Sequence, residues 1–267
     1  MYTKMYKDAT MSKASMGQRL DVALVERQLA SSRERAQSLV AAGMVEVEGT
    51  RARSAAQLVK PDAPIRLLGR DHPWVSRGGV KLDAALEAFG VDCRDRVALD
   101  AGASTGGFTQ VLLSRGCRLV YAVDVGYGQL DSALAIDPRV VVMDRTNLRT
   151  LDVGLDPQPD VVTLDLSFIS LRMVMEALIR VAPGAQVVAL YKPQFELGRG
   201  AVGRGGVVRD REAVQQGLRE FMAWLTRTLG AEVTHPPVAS PIPGTKGNQE
   251  WFTGFRLPHV CDKEGKK

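Results

Sequence analysis

The sequence predicts an α/β protein in which a small α+β domain precedes a doubly wound, mostly parallel sheet. Three observations carry this. Residues 71–267 alternate short apolar runs of strand character with helical patterns, as a parallel sheet with crossover helices requires. Before them lie two short helical patterns followed by strand-like alternation. The net charge of +5 is confined to the front: residues 1–16 carry +2, residues 17–70 carry +3, and residues 71–267 hold 23 charges of each sign. A neutral large part behind a basic small part points to a polyanionic partner for the small one. We therefore divide the chain into a lead (1–16), a small domain (17–70), a linker (71–78), a large domain (79–260) and a tail (261–267).

In the small domain, Leu20, Ala23 and Leu24, then Ala36, Leu39 and Val40, recur at helical spacing. Ser31 and Ser32 are N-cap candidates for the second helix and Gly43 is its C-cap candidate. "MVEVEG" and "IRLL" read as strands. Arg19, Arg33, Arg35, Arg51, Arg53 and Lys60 could together form a basic face. The run "SSRERAQSLVAAGMVEVEG" resembles the small RNA-binding domain named after small-subunit ribosomal protein four, and that resemblance implies a structured RNA partner.

For the large domain we expect strands near 96–100, 119–124, 139–143, 160–165, 187–191, 231–235 and 251–256. Helices are expected near 79–90, 106–115, 129–136, 170–181 and 210–229. In such sheets ligands bind beyond the carboxyl ends of the strands, and the chemical motifs fall just there.

The first is "LDAGASTGGFT". A dinucleotide fingerprint counted from Gly102 would need glycine where Ser104 stands, and no Lys-Ser/Thr pair follows Gly107 as a Walker loop demands. What remains is a flat turn of Gly102, Ser104, Thr105, Gly106, Gly107 and Phe108 between carboxylates. Asp124 at the second strand end suits a ribose diol, Asp144 at the third suits an adenine amino group, and Asp100 suits a cationic amine, held directly or through water. S-adenosyl-L-methionine has that character. Another nucleotide-binding enzyme, or a turn with no ligand, also fits these residues.

Four further residues suggest a reaction. Lys81 opens the helix before the first strand, Asp165 and Lys192 end the fourth and fifth strands, and Glu250 precedes the last. Two lysines and two carboxylates in one pocket can push their proton affinities apart. For attack by a ribose hydroxyl on a sulfonium methyl, Lys192 would serve as base, Lys81 would lower its proton affinity and steer the hydroxyl, Asp165 would orient it, and Glu250 would anchor the cluster.

This Lys-Asp-Lys-Glu order matches the tetrad of the FtsJ-like ribose 2'-O-methyltransferases. With the front domain, "VSRGGVKL", "DAGASTGGFTQVLL", "VDVGYGQL", "DLSFISL", "KPQFE" and "KGNQEWF" resemble the TlyA family of ribosomal RNA cytidine-2'-O-methyltransferases, from about residue 17 to 256. The resemblance implies a Rossmann-like S-adenosylmethionine-dependent methyltransferase domain acting on ribosomal RNA or ribosomal subunits. Residues 1–16 depart from it, so Met11 or Met16 is a candidate start.

Other features are plainer. The glycine-rich "FELGRGAVGRGGVVRDRE", with Arg199, Arg204, Arg209 and Arg211, could contact RNA phosphates. Phe108, Phe168 and Phe195 are better explained by core packing than by base stacking. The three histidines and three cysteines show no ligand spacing, and no metal is expected. Absence of a long apolar run and of a secretory signal points to the cytoplasm. Some members of the family carry the name haemolysin, but no amphipathic, spanning or barrel pattern supports membrane lysis. A non-catalytic ribosome assembly factor is the other alternative, and the complete tetrad argues against it.

Overall fold

The computed structural model describes residues 17–259 other than 28, 31, 69–71, 152–153, 204 and 245. The chain forms two compact units, Met1–Asp71 and His72–Lys267.

In the first unit, β1 (Gln18–Arg19) leads into α1 (Leu20–Glu26) and α2 (Arg33–Ala41). Leu20, Ala23 and Leu24 of α1 bury against Ala36 and Val40 of α2, as their spacing predicts. Ser32 caps α2 by accepting from the Arg35 amide at 3.1 Å. Gly43, at φ +69°, closes it: its amide donates to the Val40 carbonyl and that of Met44 to Leu39. Ser31 lies outside the described residues. Strands β2 (Val45–Val47), β3 (Thr50–Arg51) and β5 (Ile65–Leu67) form an antiparallel sheet, while β4 (Leu58–Val59) pairs with β1.

The second unit holds α3 (Arg77–Ala88), β6 (Val97–Ala101), α4 (Gly107–Ser114), β7 (Leu119–Val123), α5 (Ser132–Ala135), β8 (Val140–Met143) and β9 (Val161–Leu164). There follow α6 (Met175–Val181), β10 (Gln186–Tyr191), α7 (Pro193–Glu196), α8 (Arg211–Arg227), β11 (Glu232–Ala239) and β12 (Trp251–Arg256). The strands order as β11-β12-β10-β9-β6-β7-β8. From β8 to β10 all neighbours are parallel, and β12 inserts antiparallel between β10 and β11. A dinucleotide-binding sheet lacks this reversed strand. The strand order reverses at β6 and β9, and in open α/β sheets such a reversal is where a ligand crevice is expected, here beyond Ala101 and Leu164.

Helices cover both faces, which is why the central strands β6 and β9 are apolar apart from Asp100 and Thr163. One layer packs Leu82 of α3, Phe89 just after it, and Phe108 and Leu112 of α4. The other packs Met175 and Leu178 of α6 with Leu218, Phe221 and Leu225 of α8. Each such side chain contributes about 1.5–3 kcal/mol by leaving water. Three elements differ from the sequence reading. The helix expected over 129–136 shrinks to Ser132–Ala135 because Asp131 accepts from the Ala133 amide and starts it late. The four-residue α7, begun by Pro193, is too short to leave a periodic pattern. Strand β11 runs to Ala239, its register interrupted around Pro236 and Pro237, which cannot donate to the ladder.

Candidate active site

The register of the sheet brings the four chemical residues together. Tyr191 pairs with Trp251, so Lys192, one position beyond the end of β10, adjoins Glu250, one position before β12. Asp165 follows β9 on the other side of β10. Within this cluster the charges pair as two couples: Lys81 Nζ donates to Glu250 Oε2 at 2.5 Å, and Lys192 Nζ lies 2.6 Å from Asp165 Oδ1. Lys81, Lys192 and Glu250 are buried, whereas Asp165 keeps partial access to solvent. Buried ions persist only when so compensated. Ser167 was missed by the sequence reading, and its Oγ accepts from Lys192 Nζ at 3.1 Å.

The glycine turn abuts this cluster. Gly102 has φ +85°, and a Cβ on it would meet the Asp165 carbonyl oxygen at 2.6 Å, so only glycine permits this approach. Asp124 grips the turn: its Oδ2 accepts from the Ser104 amide at 2.8 Å and its Oδ1 from the Gly126 amide at 2.7 Å. Asp144 accepts from the Gly128 amide at 2.9 Å. Ser104 is exposed at φ +47°, Thr105 is half-buried, and Gly106 and Gly107 open α4. Where a phosphate site would present free amides, Ser104 N–H is already taken by a carboxylate, which would also repel phosphate. The carboxylates of Asp124 and Asp144 are acceptors, the chemistry that hydroxyl and amino donors require.

Burial narrows two cofactor assignments, leaving Asp100 only an indirect contact and giving Phe108 the core packing its sequence setting favours. Asp100 is wholly buried and cannot hold a ligand amine directly. Its carboxylate accepts from the Thr109 hydroxyl at 2.6 Å and the Thr163 hydroxyl at 3.0 Å, and burial pushes its pKa up to about 7. The strand interior, invisible in a strand-end pattern, decided this. Phe108 is likewise buried, its ring 6.3 Å from that of Phe252, and belongs to the core. Phe168 errs in the opposite sense: expected in the core, it is 88% exposed at φ +65°, its ring 5.2 Å from Phe195. An exposed aromatic held in a left-handed conformation is costly and marks a constrained site.

The basic residues of the first unit do not form one face of equivalent cations. Arg19 and Arg33 both bind Asp21, at 2.9 and 3.0 Å, with Gln37 as a third donor. Asp21 is fully buried, and the Arg19 guanidinium holds its carboxyl far below the usual range. Arg35 stands in the first turn of α2. Arg51, Arg53 and Lys60 line a separate groove of about 400 Å³ with Thr50, Gln57 and the exposed Leu58. In the second unit, Arg199 begins a short 3₁₀ turn, and Arg204 lies outside the described residues. The glycine-rich segment is pinned by buried Asn248, whose Oδ1 accepts from the Val208 amide and whose Nδ2 donates to the Gly206 carbonyl, both at 2.8 Å. Among the described residues no cluster of three potential metal ligands occurs, and no helix is long and apolar enough to cross a membrane.

Fold and site are those of an α/β protein with a lysine–carboxylate cluster at the carboxyl ends of its strands, and comparison with known proteins gives the class as a methyltransferase. The chain belongs to the FtsJ-like methyltransferase family, which it matches over residues 74–257, and residues 18–65 match the S4 domain. It is 46% identical to the 16S/23S rRNA (cytidine-2'-O)-methyltransferase TlyA of Mycobacterium tuberculosis, over 89% of each chain. It is 36% identical to Hemolysin A of Brachyspira hyodysenteriae, over 89% of this chain and 99% of that one. A solved Streptococcus thermophilus chain that carries the hemolysin name superposes with a TM-score of 0.70 at 36% identity, covering 92% of this chain and 90% of that one.

Proposed function

We propose that this protein methylates a ribose 2'-hydroxyl of ribosomal RNA, on cytidine as the name of its Mycobacterium tuberculosis relative states for that protein, using S-adenosyl-L-methionine. The observation that carries the reading is the junction of Gly102 with Asp165: the nucleoside-type turn and the lysine–carboxylate cluster share one wall. Bound S-adenosylmethionine supplies an electrophilic methyl on a sulfonium. Asp124 and Asp144 would hold the ribose diol and the adenine amino group, over a floor of Gly102, Ser104, Thr105, Gly106 and Gly107. Asp100 supports that floor from behind.

At the other end of the site, Lys192 takes the 2'-hydroxyl proton as the oxygen–methyl bond forms and the sulfur–methyl bond breaks. An ammonium cannot accept a proton, so the reaction runs through enzyme whose Lys192 is neutral. Asp165 and Ser167 orient that amine. Lys81, anchored by Glu250, steers the hydroxyl oxygen. The exposed ring of Phe168 offers a face to the nucleobase.

Residues 17–70 serve as the RNA-binding domain, joined through 71–78 to the methyltransferase domain, 79–260. Arg51 and Lys60 in their groove and Arg35 on α2 meet phosphates, with Arg19 and Arg33 held in place by Asp21. Arg199 and Arg204 add contacts from the glycine-rich segment. A ribosomal substrate places the reaction in the cytoplasm. The test is transfer of radiolabelled methyl to ribosomal subunits and to naked ribosomal RNA, with mass-spectrometric mapping of ribose methylation. RNA binding without any ribose methylation would replace this reading with that of a non-catalytic assembly factor.

A further inference from the structure

The loop after β9 and the segment after β10 face each other along three successive contacts. At the first, Asp165 and Ser167 both meet Lys192 Nζ. At the second, the Phe168 ring packs on Phe195. At the third, the Glu196 carboxylate accepts from the Ser170 hydroxyl and the Leu171 amide, both at 2.7 Å. The two arms are short: four residues separate Asp165 from Ser170, and three separate Lys192 from Glu196.

Glu196 carries no part of the tetrad pattern, yet it is the far anchor of the loop that supplies two of the partners of Lys192. Its carboxyl sits in a partly buried place where desolvation raises its pKa, against the hydrogen bonds of Ser170 and Leu171 and the charge of Arg172. A surface glutamate would carry no such cost. Phe168 also needs an anchor. A bulky side chain at φ +65° relaxes toward negative φ unless the flanking chain is fixed on both sides, and here Ser167 is fixed by Lys192 and Ser170 by Glu196.

We infer that Glu196 is a positioning residue for methyl transfer, holding the Asp165–Leu171 loop so that Asp165 and Ser167 stay on Lys192 and Phe168 stays presented to the nucleobase. This rests on the reaction proposed above. The residue acts through the loop and touches neither cofactor nor the reacting oxygen.

The experiment compares Glu196→Ala, Glu196→Gln and Ser170→Ala with the parent in single-turnover methyl transfer to ribosomal subunits, with cofactor stoichiometry and affinity measured by calorimetry. Glutamine keeps both contacts, since its amide oxygen accepts from Leu171 N–H and its amide N–H can donate to Ser170 Oγ. Misplacement by about 1 Å costs on the order of 100-fold. Glu196→Ala is therefore expected to lose about 10–100-fold in rate constant at saturating RNA, with half-saturating RNA moved less than about threefold. Cofactor stoichiometry and affinity stay at the parental values, whereas a merely structural defect would lower stoichiometry. Glu196→Gln recovers to within about threefold of the parent. Ser170→Ala, which removes one of the two donors, shows an intermediate loss and decides the matter if Glu196→Ala does not fold.

Parental rate constants in Glu196→Ala, or in Ser170→Ala should the former not fold, would overturn the inference. So would equal impairment of the alanine and glutamine variants. Absence of methyl transfer in the parent would instead overturn the reaction on which the inference rests.

Discussion

Lys192 pairs with Asp165 at 2.6 Å, while Lys81 pairs with Glu250, so each lysine of the cluster faces its own carboxylate. The sequence reading had cast Lys81 as the group that unsettles Lys192. In the folded protein Asp165 and Ser167 are the immediate partners of Lys192, while Lys81 is engaged by Glu250.

Lys192→Arg keeps the positive charge but cannot yield a neutral acceptor. Single-turnover methyl transfer is expected to fall by about 10²–10⁴-fold with cofactor affinity retained. Substantial residual transfer would mean that Lys192 only orients the hydroxyl. Lys81→Arg should be milder, because an electrostatic role survives in part.

Asp124→Ala removes the acceptor for the Ser104 and Gly126 amides as well as the proposed ribose contact. Loss of a charged acceptor costs about 1.5–3 kcal/mol, or roughly 10–150-fold in the dissociation constant for S-adenosylmethionine. Undiminished binding by calorimetry would take Asp124 out of the site.

Asp100 makes stability depend on pH in an unusual direction. Its folded pKa, about 7, lies above the ordinary carboxylate value, so its contribution is full at acid pH and is lost as pH rises through 7. Relative to Asp100→Asn, the parent should lose on the order of a few kcal/mol of stability between about pH 4 and pH 8. All three tryptophans, Trp74, Trp224 and Trp251, lie in the second unit, so denaturant titration followed by tryptophan fluorescence reads this directly. Parallel pH profiles for parent and variant would show that Asp100 ionises normally.

Gly244→Ala would place a Cβ 2.3 Å from Glu250 Oε1 and force the carboxylate off Lys81. A loss of about tenfold or more in single-turnover rate is expected, with cofactor affinity unchanged. Parental activity would show that the Lys81–Glu250 pair does not govern catalysis.

Asn248→Ala leaves the Val208 amide and the Gly206 carbonyl without their side-chain partner, a loss of about 1–3 kcal/mol confined to the glycine-rich segment. Tryptic cleavage at Arg209 should accelerate while global unfolding by fluorescence moves little. Unchanged proteolysis would show that Asn248 does not hold this segment.

The sequence by itself determined the periodic elements and the strand-end residues. Helices α1 and α2 announce themselves by apolar spacing, and α2 also by its caps Ser32 and Gly43, because both signals are local. Placement of Asp124, Asp144, Asp165 and Lys192 at strand ends follows from where apolar runs stop, and the parallel-sheet rule then puts them on one rim. Tertiary structure decided everything that depends on which atoms meet across the chain. Asp100 and Asp124 both close apolar runs, but Asp100 turns inward to Thr109 and Thr163 whereas Asp124 turns to the glycine loop. Phe108 and Phe168 are the same residue beside similar motifs, one buried by Phe252 and one held out in solvent by its backbone. Pairing of Lys192 with Asp165, of Arg33 with Asp21, and of Glu196 with Ser170 is set by register and packing over 11 to 26 intervening positions. Hydrophobic periodicity fixes which face of an element is buried, but a charged side chain chooses its partner from the few groups that folding brings within about 3 Å.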